Sequence, residues 1–130
     1  MTILVTGGAG FIGGNFVLDW CQTENEKIIN LDALTYAGNM DTLKSLQDNP
    51  QHIFVHGDIG NKTLVSKLLN EHKPRAILNF AAESHVDRSI HGPSDFIQTN
   101  IVGTFNLLEA VRTYWTSLEQ DNKENFRFLH

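Results

Sequence analysis

The stretch Ile3-Leu4-Val5-Thr6-Gly7-Gly8-Ala9-Gly10-Phe11-Ile12-Gly13 constrains the fold more than any other part of the chain. Ile3, Leu4 and Val5 make a short apolar run, as a parallel strand covered on both faces requires. Gly7, Gly10 and Gly13 follow at three-residue spacing. That spacing predicts a sharp turn at Gly7, where a side chain would resist the dihedrals. It also predicts close backbone approach to a ligand at Gly10 and a helix packed against the strand at Gly13. A helix starting there offers unpaired N–H groups and a partial positive charge to phosphates. A glycine cluster alone fits an ordinary strand-to-helix turn equally well. The run Lys27-Ile28-Ile29-Asn30-Leu31-Asp32 adds a second strand ending in an acid. It lies about 20 residues past the glycines, where a dinucleotide-binding βαβ unit places the carboxylate that accepts from the adenosine ribose.

Beyond Asp32 the chain alternates between period-2 and period-3.6 patterns, which predicts an α/β fold built on a parallel sheet. The first helix is expected over residues 10–21, with Phe11, Ile12, Phe16, Val17 and Trp20 on its inner face. A short helix over 41–46 ends before Asn49-Pro50, because the residue preceding proline avoids the helical region. Residues 52–56 read as strand three and 76–80 as strand four, separated by a helix over 61–72 with Leu64, Leu68 and Leu69 inward. Pro93 suits the first turn of a long helix, residues 94–118. Phe96, Ile97, Ile101, Phe105, Leu108, Val111 and Trp115 give that helix a broad apolar stripe. Residues 121–124 read as a polar turn and 126–130 as the start of a fifth strand. Five strands are more than half of a doubly wound sheet, so one face beside the last strand is expected to lack cover.

A chain of 130 residues can bury a core of its own. Its net charge of −5 supplies no basic stripe for nucleic acid. Cys21 is the only cysteine, which excludes an internal disulfide and suits a reducing cytoplasm. No apolar run approaches the ~20 residues of a membrane span. Met1 leads directly into the first strand, so no signal peptide is expected. None of the six histidines pairs at i, i+4 on a helix, so no metal site is expected. A Gly-x-Ser-x-Gly elbow and a Gly-Lys-Ser/Thr phosphate loop are both absent.

Several further residues carry two readings. The loop Ala33-Leu34-Thr35-Tyr36-Ala37-Gly38-Asn39 suits the rim of an adenosine pocket, or is a plain connector. Asp58, after strand three, can meet an adenine amino group or cap the next helix, with Gly60-Asn61 as a competing cap. Ala81 and Ala82 leave space for a ligand at the carboxyl end of strand four. Glu83, Ser84, His85, Asp87 and Arg88 then face the crevice where open α/β sheets bind ligands. The same cluster also reads as a capped loop in which Arg88 pairs with Glu83 or Asp87. Asp32 bears on cofactor choice as well. Two like charges ~4 Å apart at an effective dielectric of ~20 repel by about 4 kcal/mol, which favours NAD over NADP.

These motifs resemble the extended short-chain dehydrogenase/reductase family, and within it the dTDP-glucose 4,6-dehydratases. Thr6-Gly7-Gly8-Ala9-Gly10-Phe11-Ile12-Gly13 carries the first resemblance. Leu34-Thr35-Tyr36-Ala37-Gly38-Asn39, Ala81-Ala82-Glu83-Ser84-His85-Val86-Asp87-Arg88-Ser89-Ile90 and Thr99-Asn100-Ile101-Val102-Gly103-Thr104 carry the second. The resemblance implies a Rossmann-type doubly wound parallel sheet, truncated after about five strands. Family enzymes oxidise C4 of the glucose with NAD, eliminate water across C5 and C6, and return the hydride to C6. By the same resemblance Phe11 and Ile12 contact the pyrophosphate, and Asp32, Ala33, Leu34 and Thr35 hold the ribose. Asp58 and Ile59 hold the adenine. Phe80, Ala81, Ala82, Glu83, Ser84 and Thr99 line the nicotinamide side, and Ser84 also meets the sugar.

The family's catalytic threonine, Asp-Glu pair and Tyr-x-x-x-Lys lie beyond strand five, as does its sugar-nucleotide domain. The resemblance therefore implies that residues 1–130 are an NAD-binding N-terminal part that is inactive alone. A helix at 94–118 joins a four-helix dimer interface in the wider family, which implies a homodimer. The alternatives are a fragment of a UDP-sugar epimerase or decarboxylase, and a stand-alone NAD-binding interaction module. The first of these lacks the Glu-Ser-His-Val-Asp-Arg-Ser run.

Overall fold

The computed structural model describes residues 1–34, 40–81 and 93–130, the side chain of Asp95 excepted. Strands β1 (Thr2–Thr6), β2 (Lys27–Asp32), β3 (His52–His56), β4 (Ala76–Asn79) and β5 (Arg127–Leu129) form one sheet in the order β3-β2-β1-β4-β5. Every pairing is parallel, with Leu4 between Ile29 and Ile77. Strand alternation sorts the apolar residues into two layers. Ile3, Val5 and Ile28 face helix α1 (Phe11–Thr23) and a 3-10 helix (Met40–Leu46). Leu4, Ile29, Leu31 and Ile77 face α2 (Lys62–His72) and α4 (Thr104–Ser117). The sheet is thus covered on both faces, as its continuous apolar strands demand.

The inner face of α1 differs from the expected one. Phe11 is 84% exposed and Ile12 69% exposed, whereas Val17 is fully buried with Phe16 and Trp20 partly covered beside it. The first turn of α1 overhangs the carboxyl edge of the sheet, so its side chains find nothing beneath them. In α2 the Asn61 side chain accepts from the Leu64 N–H, at 3.1 Å, and caps the helix. Val65 joins Leu68 and Leu69 in the core, while Leu64 is only partly covered.

The long helix is not uniform. A short α3 (Pro93–Phe96) runs into a seven-residue π-helix (Ile97–Gly103) and then into α4. The core face of α4 is Leu107, Ala110, Val111 and Tyr114. The Tyr114 hydroxyl donates to the Pro74 carbonyl at 2.9 Å, and burial pushes its pKa up. Of the expected stripe only Val111 is buried; Ile97, Ile101, Phe105, Leu108 and Trp115 are exposed. Residues 121–124 lie within a helix, α5 (Gln120–Asn125), and not in a turn. Beside β5, Phe128 packs toward α4 while Leu129 is 58% exposed.

The amino edge of the sheet is closed by one ion pair. Arg75 donates to both Glu26 carboxylate oxygens at 2.7 and 2.6 Å. Trp20 Nε1 and Gln51 Nε2 donate to the Glu26 carbonyl. Arg75→Ala leaves that half-buried carboxylate without either bond. A loss of about 1 kcal/mol is expected, the bidentate geometry setting it above an ordinary surface pair. A lower urea midpoint at unchanged m-value checks it.

Candidate functional site

The strand order reverses between β1 and β4, and the crevice beyond their carboxyl ends is where open α/β sheets take ligands. Gly7 stands at that point with φ of +73°. A Cβ there would lie 2.6 Å from both Phe80 C and Ala81 N, so the turn is pressed against the exit of β4. The Gly7 N–H donates to Leu31 O at 2.8 Å, and the Phe80 N–H donates to Thr6 O at 2.9 Å. Beneath the turn the Thr6 hydroxyl donates to Asn79 Oδ1, and Asn79 Nδ2 donates to His130 Nδ1 at 3.0 Å.

Gly13 packs against the turn itself: a Cβ would strike Gly7 O at 2.2 Å. At Gly10 the same construction meets only Gly7 O, at 3.4 Å, and is otherwise open. No side chain caps α1 and no acid sits in its first turn. Its dipole and leading amides are therefore left for an outside anion, with the exposed Phe11 and Ile12 beside them.

Asp32 faces this loop. Its Oδ2 accepts from the Ala9 N–H at 2.8 Å and its Oδ1 from the Leu34 N–H at 2.7 Å. The carboxylate is 8% exposed, and each oxygen keeps a further lone pair for a ligand hydroxyl. Leu34 adopts φ of 53°, a left-handed conformation that costs a branched residue about 1–2 kcal/mol and that the Asp32 bond holds in place. From β3, His56 Nε2 donates to the Ala33 carbonyl at 3.0 Å.

The remaining candidates divide. Asp58 is exposed, and its Oδ1 accepts from the Gly60 N–H at 2.6 Å, while Asn61 takes the helix cap. The Ile59 side chain is buried against Gly103. Phe80 packs on Phe16 with ring centroids 5.6 Å apart, and Ala81 borders the other core layer. Thr99 lies half-buried in the π-helix. Thr35, Ala82, Glu83 and Ser84 lie outside the described residues, as does the rest of the 83–90 cluster. Among the described residues no three His, Cys, Asp or Glu side chains group as metal ligands, and no helix is long and apolar enough to cross a membrane. Sequence reasoning missed Asn30, His56 and the Thr6–Asn79 pair. Their only sequence signal is a polar residue breaking or ending an apolar strand.

Asp32→Asn replaces one acceptor oxygen with an amide that faces an N–H. A loss of about 1–2 kcal/mol is expected from the unsatisfied backbone donor, read from urea unfolding. Gly13→Ala forces the helix off the turn and is expected to cost about 1–3 kcal/mol in the same measurement.

Comparison with known proteins agrees with this geometry. The family model described as GDP-mannose 4,6 dehydratase matches residues 4–130. A dTDP-glucose 4,6-dehydratase of Xanthomonas campestris pv. campestris (strain B100) is 65% identical over 99% of this chain and 36% of its own length. The dTDP-glucose 4,6-dehydratase 1 of Escherichia coli K12 is 49% identical over 100% of this chain and 36% of its own length. The crystal structure of the Bacillus anthracis dTDP-glucose 4,6-dehydratase in complex with NAD superposes with a TM-score of 0.78. It is 48% identical, covering 88% of this chain and 34% of that one. The Thermotoga maritima UDP-glucose 4-epimerase gives a TM-score of 0.77 at 32% identity, covering 88% and 35%. The chain spans about a third of the length of the curated relatives it matches. With the family model matched from Leu4 to the last residue, the chain belongs to the GDP-mannose 4,6 dehydratase family.

Proposed function

We propose that residues 1–130 are the NAD-binding part of a dTDP-glucose 4,6-dehydratase, an NAD-dependent lyase. One observation carries the reading: the uncapped N-terminus of α1 is held beside Asp32 by the Ala9–Asp32 bond, at the strand switch point. The residues present fit the cofactor. Phe11 and Ile12 would meet its diphosphate through amide hydrogens and the helix dipole, with Gly7, Gly10 and Gly13 allowing the close approach. Asp32 would accept from a ribose hydroxyl, with Ala33, Leu34 and Thr35 beside it. Asp58 and the Ile59 main chain would meet the adenine. Phe80, Ala81, Ala82, Glu83, Ser84 and Thr99 would line the nicotinamide side, with Ser84 reaching the sugar of dTDP-glucose. When bound, NAD would supply a hydride acceptor.

The dehydratase reading rests on identity: dehydratase structures stand at 45–48%, against 29–32% for the epimerases. The 130-residue chain covers 36% of its dehydratase relatives and is proposed to form no 4-keto sugar alone. Its setting is the cytoplasm. Calorimetry is expected to show NAD binding and NADP binding more than tenfold weaker, because Asp32 repels a 2′-phosphate. Equal affinities, or no heat with NAD, overturn the reading.

The helix over 94–118 is proposed to pair two copies of the chain. Ile97, Ile101, Phe105 and Leu108 recur at helical spacing on its exposed side. Light scattering is expected to show a concentration-dependent dimer that Phe105→Glu converts to monomer. A wild-type monomer at high concentration rejects it.

A further inference from the structure

Strand β2 carries the glycine loop on two side chains of one face. Asp32 is one. The other is Asn30, fully buried directly beneath Gly8: a Cβ at Gly8 would lie 2.1 Å from Asn30 Oδ1. Asn30 Nδ2 lies 3.2 Å from Nε2 of His52, the first residue of β3. Asn30 Oδ1 has no hydrogen-bond partner. An amide nitrogen only donates, so this contact requires a lone pair on His52 Nε2 and the imidazole proton on Nδ1. His52 also lines a cavity of about 400 Å³ with Leu43, Leu46 and Phe54. One imidazole thus reaches from a solvent-connected cavity to the amide that supports the loop.

We propose that His52 is a positioning residue for the glycine loop, and that a proton on its Nε2 turns the Asn30 amide over and shifts Gly8 and Ala9, and through them the Phe11 and Ile12 amides that would receive a diphosphate. This rests on the nucleotide-binding reading above. A protonated Nε2 faces the Asn30 NH2 as donor against donor. Turning the amide brings the partnerless Oδ1 onto the Nε2–H in a charge-assisted bond and places the NH2 under Gly8 instead. The cost falls on the loop, because Gly8 lies so close over the amide that not even a Cβ would fit between them. Burial holds the imidazole below its usual pKa, so the neutral form prevails at neutral pH. The unfolded chain is protonated first, below about pH 6.5, and stability declines from there as pH falls.

Other titratable groups near His52 are few among the described residues. The 3-10 helix brings Asp41 and Lys44 to the same cavity, one of each sign. From β2, Asn30 is uncharged and Ile28 stands directly opposite. Just before β3, Gln51 is tied to the Glu24 and Glu26 carbonyls, and at the far end of β3 His56 is bonded to Ala33 O.

The test follows backbone amides of the 130-residue chain by NMR between pH 8 and 5, with NAD affinity measured alongside. In the wild type the Gly8 and Ala9 amides are expected to shift with the His52 titration, and NAD affinity to fall at least threefold across it. His52→Gln keeps an acceptor that does not titrate, so both responses should flatten; His56→Gln should leave them in place. Loop amides that ignore the His52 titration, or that move equally in His52→Gln, overturn the proposal. If the variant does not fold, the wild-type amide titration decides alone. Absence of NAD binding at every pH rejects the nucleotide reading, while the amide shifts still judge the coupling between His52 and the loop.

Discussion

A single carboxylate joins the parts on which the site depends. Asp32 is nearly buried and must be satisfied there, since an unpaired charge at such a position is strongly unfavourable. It is satisfied by two backbone donors from different loops, Ala9 after β1 and Leu34 after β2. One side chain thereby fixes the distance between the glycine turn and the end of the second strand. The Leu34 backbone, in a conformation leucine avoids, is held by the same carboxylate. Asp32 is therefore a structural residue in its own right, before any ligand role proposed for it. A hydroxyl arriving from outside meets an acceptor whose orientation is already set.

Around that carboxylate the loop is packed at the level of backbone. A Cβ at Gly7 would strike the exit of β4, one at Gly13 would strike Gly7 O, and one at Gly8 would strike Asn30. Each contact leaves no room for a methyl group, so the three glycines are required by three separate neighbours. Such packing makes the amides at the start of α1 rigid, and a rigid donor array binds an anion without an ordering cost. It also makes the loop sensitive to small movements in what supports it, which is why an amide flip at Asn30 reaches the surface.

The sheet was legible in the sequence because its strands are short apolar runs separated by helical periods. The glycine turn and Asp32 were legible because their spacing reports a close backbone approach, which few residue types permit. What the pattern could not tell was which apolar residues would find a neighbour. Phe11 and Ile12 have the right period for the core of α1 yet overhang the sheet edge. The π-helix contains no proline to announce it; it ends where Gly103 meets Ile59 and Asn106 bonds Gly60 O. Helix α5 reads as a turn because it has no buried residue, and it is held by local bonds such as Gln120 to Glu124. Asn30 and His52 are far apart in sequence and become neighbours only through the β2–β3 register, which sets His52 opposite Ile28 and diagonal to Asn30.

Helix α4 shows the same limit in energetic form. Leu107, Ala110, Val111 and Tyr114 occupy one face, and Phe105, Leu108 and Trp115 occupy another. Both sets have helical spacing, and hydropathy alone ranks them alike. The sheet can cover only one side of a helix, and Tyr114 fixes which, because its hydroxyl needs the Pro74 carbonyl inside the fold. Once that bond selects the inner face, Phe105 and Leu108 are left exposed, while Trp115 is held by α5 through its Nε1–H bond to the Lys123 carbonyl. A helix apolar on both sides is at its most stable when both are covered, which is the ground for the proposal that two copies of the chain pair through it.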